Sequence, residues 1–196
     1  MAATVASTTH FDPATLDADR TAKWEAAESF EDFLPTAEAN DTIWASTWKR
    51  SSVPDDIAER MGAVPGQWRL LALSADWCID AANSLPHVAR LAAETENLEL
   101  RLLERDDHLD LMDAHLTAGA RSFPVVILLD AENREHAWWG PRPADLQAWV
   151  KTVGMDLESA DRYREIRKWY ARDRGKTTLH EVVAMIEQAS GAGGLR

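Results

Sequence analysis

The chain has 196 residues, 45% of them apolar and 28% charged, with a formal net charge of −12 and a single cysteine. That length suits one compact domain with attachments, and the acidic balance disfavours nucleic acid and anionic membrane surfaces as partners. One cysteine excludes an internal disulfide and a cysteine-cluster zinc site, and it fits a reducing cytoplasm.

Residues 1–12, rich in Ala, Thr and Ser, read as a flexible tail without the basic segment and long apolar core of a secretory signal. Trp24, Ala27, Phe30 and Phe33 or Leu34 recur at helical spacing, which predicts a helix over 17–34 closed by Pro35. A second helix is expected over 37–49, where Trp44 and Trp48 share a face. A third, short one begins at Pro54-Asp55-Asp56-Ile57, with proline and acids in its first turn. Pro65-Gly66 is a turn that ends this helical prefix.

Strand and helix patterns then alternate. A strand is expected over 67–75, a helix over 78–94 kinked at Pro86, a strand over 97–103 and a helix over 106–117. Strands 125–129 and 135–139 flank a turn, and the rigid corner Gly140-Pro141-Arg142-Pro143 leads into a helix over 144–153. This order predicts an α/β fold with a parallel pair from the βαβ portion and an antiparallel hairpin at one edge, where Trp138-Trp139 packs. Beyond it, Leu157, Ala160, Tyr163, Ile166 and Tyr170 stripe a helix over 156–172. A capping box at Thr178-Leu179-His180-Glu181 opens the last helix, and 191–194 reads as a frayed end. The division expected is therefore 1–65 as tail and helical extension, 66–153 as the central domain and 154–196 as a helical extension. No apolar run approaches the roughly 18 residues of a membrane span.

The chemistry centres on Cys78, where the apolar strand meets an acidic corner and a helix begins. Free cysteines are usually buried and inert. At a helix start, however, the unpaired N–H groups of Asp80 and Ala81 favour a thiolate, the reactive form. Asp76 and Asp80 oppose this by like charge, so modest activation is expected; the two acids read first as helix-terminal caps, with the alternative that one of them relays a proton. The six histidines form no ligand pattern and no metal is expected. The basic run from Arg162 to Lys176 (with Arg164, Arg167, Lys168, Arg172 and Arg174) is interleaved with acids and reads as a solvated helical face.

Trp77 before Cys78, Pro86 eight residues after it, and Phe123-Pro124 opening a buried strand some 46 residues on together resemble the thioredoxin family. The resemblance covers about 66–152 and implies a thioredoxin-like fold: a central mixed sheet with added N- and C-terminal helices. It also implies a cis bond at Pro124 facing the thiol, with the Phe123 backbone able to pair with an extended peptide. Arg121 in the same loop then stands ready to stabilise a thiolate or hold the carboxylate of a small thiol such as glutathione, or is simply solvated. Two departures matter. Ala81 occupies the place of the family's second cysteine, and Ala72 that of its buried acid, so dithiol turnover is excluded. What the resemblance leaves is a cytoplasmic monothiol exchanger that forms mixed disulfides with a protein or small thiol, or a non-catalytic thioredoxin-fold binding protein. A thiol peroxidase is weaker, because its Thr-x-x-Cys approach is unmatched.

Overall fold

In a computed structural model the chain is described over residues 8–192; the segments 1–7 and 193–196 of the two expected loose ends lie outside the described residues. The strands are β1 (Thr9–His10), β2 (Glu28–Ser29), β3 (Trp68–Ser74), β4 (Leu98–Glu104), β5 (Val125–Leu129) and β6 (Glu135–Trp139). The α-helices are α1 (Thr21–Ala26), α2 (Phe30–Phe33), α3 (Asp41–Arg50), α4 (Asp55–Gly62), α5 (Ile79–Ala93), α6 (Leu109–Asp113), α7 (Ala144–Thr152), α8 (Ser159–Asp173) and α9 (Lys176–Ala189). The sheet runs β1-β6-β5-β3-β4-β2, with β3 and β4 parallel and every other pair antiparallel.

Alternation along β3 sets the two cores, because successive side chains point to opposite faces. Leu70 and Ala72 turn toward the face covered by α2, α3, α4, α5 and α9, where Phe30, Trp44, Ile57, Leu85 and Val183 are buried. Leu71 and Leu73 turn toward the face covered by α1 and α6, meeting Trp24, Leu111 and Met112. A satellite cluster of Leu146, Val150, Ile166 and Tyr170 joins α7 to α8. Among the described residues no helix is long and apolar enough to cross a membrane.

Several sequence expectations fail locally. The helix over 17–34 is broken into α1, β2 and α2, because Ala27 and Ser29 are extended and Ser29 caps the second piece through Asp32 N–H. Glu28 and Ser29 then pair with Leu102 and Arg101 as an edge strand. Residues 9 and 10, expected in the tail, form the opposite edge against Trp139 and Trp138. The hairpin strand β6 is therefore internal, and Trp138 stacks on His10 rather than packing at an edge. The helix over 106–117 shrinks to a 3-10 turn and five α-helical residues, since His115 is drawn down to bond buried Glu135 at 2.9 Å. The expected capping box does not form. Residue 178 lies inside α9, which starts after left-handed Gly175, and Glu181 instead accepts bonds from Thr8 Oγ1, Trp139 Nε1 and the Ala144 amide.

Candidate functional site at the start of α5

Strand β3 ends at Ser74, and the turn 75–78 delivers Cys78 to the N-cap of α5, with its own amide bonded to Ala75 O. The Ala81 amide donates to Cys78 Sγ at 3.4 Å, and Sγ in turn donates to Phe123 O at 3.5 Å. The Phe123–Pro124 peptide is cis, so the loop before β5 turns this carbonyl onto the sulfur. Gly140 makes the approach possible from the other side: a Cβ there would lie 2.2 Å from Pro124 O, and its φ of +142° suits glycine. The sulfur is only 8% exposed but lines an open cavity of about 600 Å³ with Trp77, Phe123, Asp80, Arg142 and Tyr163. Trp77, 53% exposed, meets Phe123 edge-on at 5.0 Å, and Arg105 lies over both rings.

The acids have different work. Asp76 points away from α5: its carboxylate accepts the amides of Glu38 and Ala39, and its carbonyl accepts Trp44 Nε1 at 2.9 Å. It thus ties the Cys78 corner to the N-terminal extension and does not cap α5. Asp80 faces inward, almost buried, paired with Arg142 Nη2 at 2.6 Å and accepting Tyr170 OH at 2.9 Å.

Charge around the thiol differs from the expectation in a second way. Arg121 is exposed at the cavity rim and is held in a two-point pair with Asp113 at 2.6 and 2.7 Å. The cation whose charge reaches Cys78 is Arg142, which carries a second bond to Gln147. Burial, followed by the Asp80 charge, pushes the Cys78 thiol up to about 12, against the pull of the Ala81 and Asp80 amides and of Arg142. The modest activation expected from the helix start is thus overturned. Desolvation of the charged form outweighs two amide hydrogen bonds. At neutral pH the sulfur is a protonated thiol.

Sequence reasoning missed Arg142 and Tyr170 as members of this site. Arg142 sits between two prolines directly after β6, a corner that aims its side chain back under α5. Tyr170 was visible only as one more apolar position on α8, yet its buried hydroxyl requires a partner, as buried phenols do. Among the described residues no group of three His, Cys, Asp or Glu side chains is arranged to hold a metal ion.

A family model described as Thioredoxin matches residues 27–168. No curated protein matches the chain. Two solved structures share its architecture. One is a protein of unknown function from Pseudomonas aeruginosa, 20% identical, with a TM-score of 0.70 over 88% of this chain and 99% of that one. The other is an HIV epitope-scaffold, 21% identical, with a TM-score of 0.68 over 87% of this chain and 99% of its own.

Proposed function

The chain belongs to the thioredoxin family, and on that footing we propose that it is a monothiol thiol–disulfide exchange protein acting through Cys78. The observation that carries the reading is the position of Sγ, at the amino end of α5, beside Phe123 O and open to a cavity of about 600 Å³. Cys78 as thiolate attacks one sulfur of a partner disulfide, forming a mixed disulfide and expelling the other sulfur as a thiolate. Because position 81 is alanine, no internal thiol resolves it. A second, external thiol, such as glutathione in a reducing cytoplasm, attacks the mixed disulfide and releases Cys78. The Ala81 amide stabilises the sulfur when it is charged and when it leaves.

In this reading the Phe123 carbonyl has two uses. At rest it accepts the S–H. An extended partner strand that donates an N–H to the same oxygen, by pairing along Phe123, competes for it and frees the thiol as the disulfide arrives. Trp77 and Phe123 supply the exposed apolar floor for the partner's flanking side chain. Arg121, committed to Asp113, serves as rim charge toward an incoming carboxylate and has no hold on the thiolate.

One observation favours a second reading, a non-catalytic binding protein using the same surface: the thiol is held far toward its protonated form. Mixing the protein with oxidised glutathione at mildly alkaline pH separates the two. Exchange requires a glutathione adduct on Cys78 by mass spectrometry that reduced thiol removes and that is absent in Cys78→Ser. An adduct that forms only after denaturation would leave the binding protein as the answer.

A further inference from the structure

Tyr170, whose hydroxyl reaches Asp80 beside Cys78, also lines a second cavity, of about 530 Å³. Three helices enclose it: α3 brings Arg50, α5 brings Asn83 and His87, and α8 brings Arg167 and Arg174. Arg167 lies on α8 itself, and Arg174 is the left-handed residue that caps its end, so the two reach the cavity from the helix and from its C-terminal turn.

Part of the basic run of α8 is neutralised locally by acids, while Arg172, outside the cavity, makes no ion pair among the described residues. Arg164 and Lys168 pair with Asp161 and Glu165, and Arg162 reaches the carbonyls of Gly154 and Leu157. Arg167 and Arg174 have no carboxylate partner among the described residues, and Arg50 donates only to Ser46 Oγ. Three guanidiniums without a carboxylate partner on one cavity stand out in a chain of net charge −12.

His87 supplies an independent sign. It is 6% exposed, and its Nδ1 is buried without a hydrogen-bond partner, although buried polar atoms are overwhelmingly paired. The backbone at Gly175 lies flat against the ring: a Cβ there would fall 2.1 Å from His87 Cγ, at a φ of +77°. Burial lowers the imidazole to about 4, so at neutral pH the ring is an uncharged part of the wall. The one acid whose charge reaches it, Asp173, is engaged by the Thr177 amide and hydroxyl.

We propose that this cavity binds the phosphate group of a small phosphorylated metabolite, held by Arg50, Arg167 and Arg174 with His87 at its wall. Guanidinium groups donate two parallel bonds to phosphate oxygens, and a dianion balances what a single carboxylate would not. The volume falls in the range of roughly 300–1,000 Å³ typical of small-molecule sites and leaves room for the organic part of an ester. The inference stands independently of the thiol exchange reading.

The test is calorimetric titration of the full chain at neutral pH and fixed ionic strength, with inorganic phosphate and with glycerol 3-phosphate. Both should bind competitively, the ester at least as tightly, and the His87 ring resonances should move on saturation. Arg50→Ala combined with Arg167→Ala, both exposed positions, should weaken both probes by about tenfold or more. Arg164→Ala, outside the cavity, should change nothing. Absence of saturable binding up to about 10 mM, exclusion of the ester, or equal weakening by Arg164→Ala would each overturn the assignment.

Discussion

The two cavities beside α5 share Arg167 and differ in how they treat charge. Around Cys78 a partly buried arginine is matched by a buried aspartate, and the tyrosine hydroxyl completes the network. Around His87 the arginines have no such match. At the thiol of the first cavity charge is therefore paired, and the sulfur is kept neutral chiefly by burial. The second is electrically open, and what it lacks is an anion. Helix position alone would have predicted the reverse, with the activated group at the amino end of α5.

The contrast breaks most directly at Arg142. Arg142→Ala leaves Asp80 buried without its counter-charge, and loss of one partner from such a pair costs about 3–5 kcal/mol, readable as a lowered denaturant midpoint. A midpoint unchanged from the parent would mean that water already screens the pair. Next in size is the acid response of His87. Its folded value, about 4, lies below the ordinary 6.5, so the unfolded chain takes up this proton first. The stabilisation is complete above pH 6.5 and is lost as the pH falls toward 4, a total of about 3 kcal/mol. His87→Gln should flatten stability across that window, and a slope equal to the parent's would remove His87 as its cause.

A smaller effect is expected at Asp80. Asp80→Asn removes the largest charge opposing the thiolate and frees Arg142 to favour it, so iodoacetamide labelling of Cys78 at neutral pH should quicken by about tenfold. Unchanged labelling would show that burial alone holds the proton. Least of all should follow from Arg121→Ala. Its pair with Asp113 lies at the surface, both side chains about half exposed, and such pairs contribute little, so neither the labelling rate of Cys78 nor the denaturant midpoint should move measurably.

The fold was legible where hydrophobic period and turn residues agreed. The strands at 68–74, 98–104, 125–129 and 135–139, and the helix behind Cys78, follow from apolar runs bounded by Gly, Pro and acidic corners. Short edge strands were not legible: Thr9–His10 and Glu28–Ser29 are set by partners far along the chain, and two residues carry no period. At the site, Cys78 was readable from its place between strand and helix, and Trp77 and the Phe123-Pro124 loop from the resemblance to the thioredoxin family. Arg142 was not, because its role depends on a corner folding back under α5. Nor was the thiol's protonation, since desolvation belongs to the packed molecule and is invisible in two flanking aspartates. The same holds for Glu181, which a local pattern assigned to a helix start and the tertiary structure gave to Trp139 and Ala144.

Thr9 and His10 cover β6, whose Trp138 and Trp139 would otherwise form an unpaired, strongly apolar border. Bare borders of that kind recruit strands from neighbouring molecules. Shortening the protein to begin after His10 should therefore promote self-association, visible as increased light scattering relative to the full chain. Purification tags at this end are best spaced well before Thr8, whose hydroxyl is anchored on Glu181.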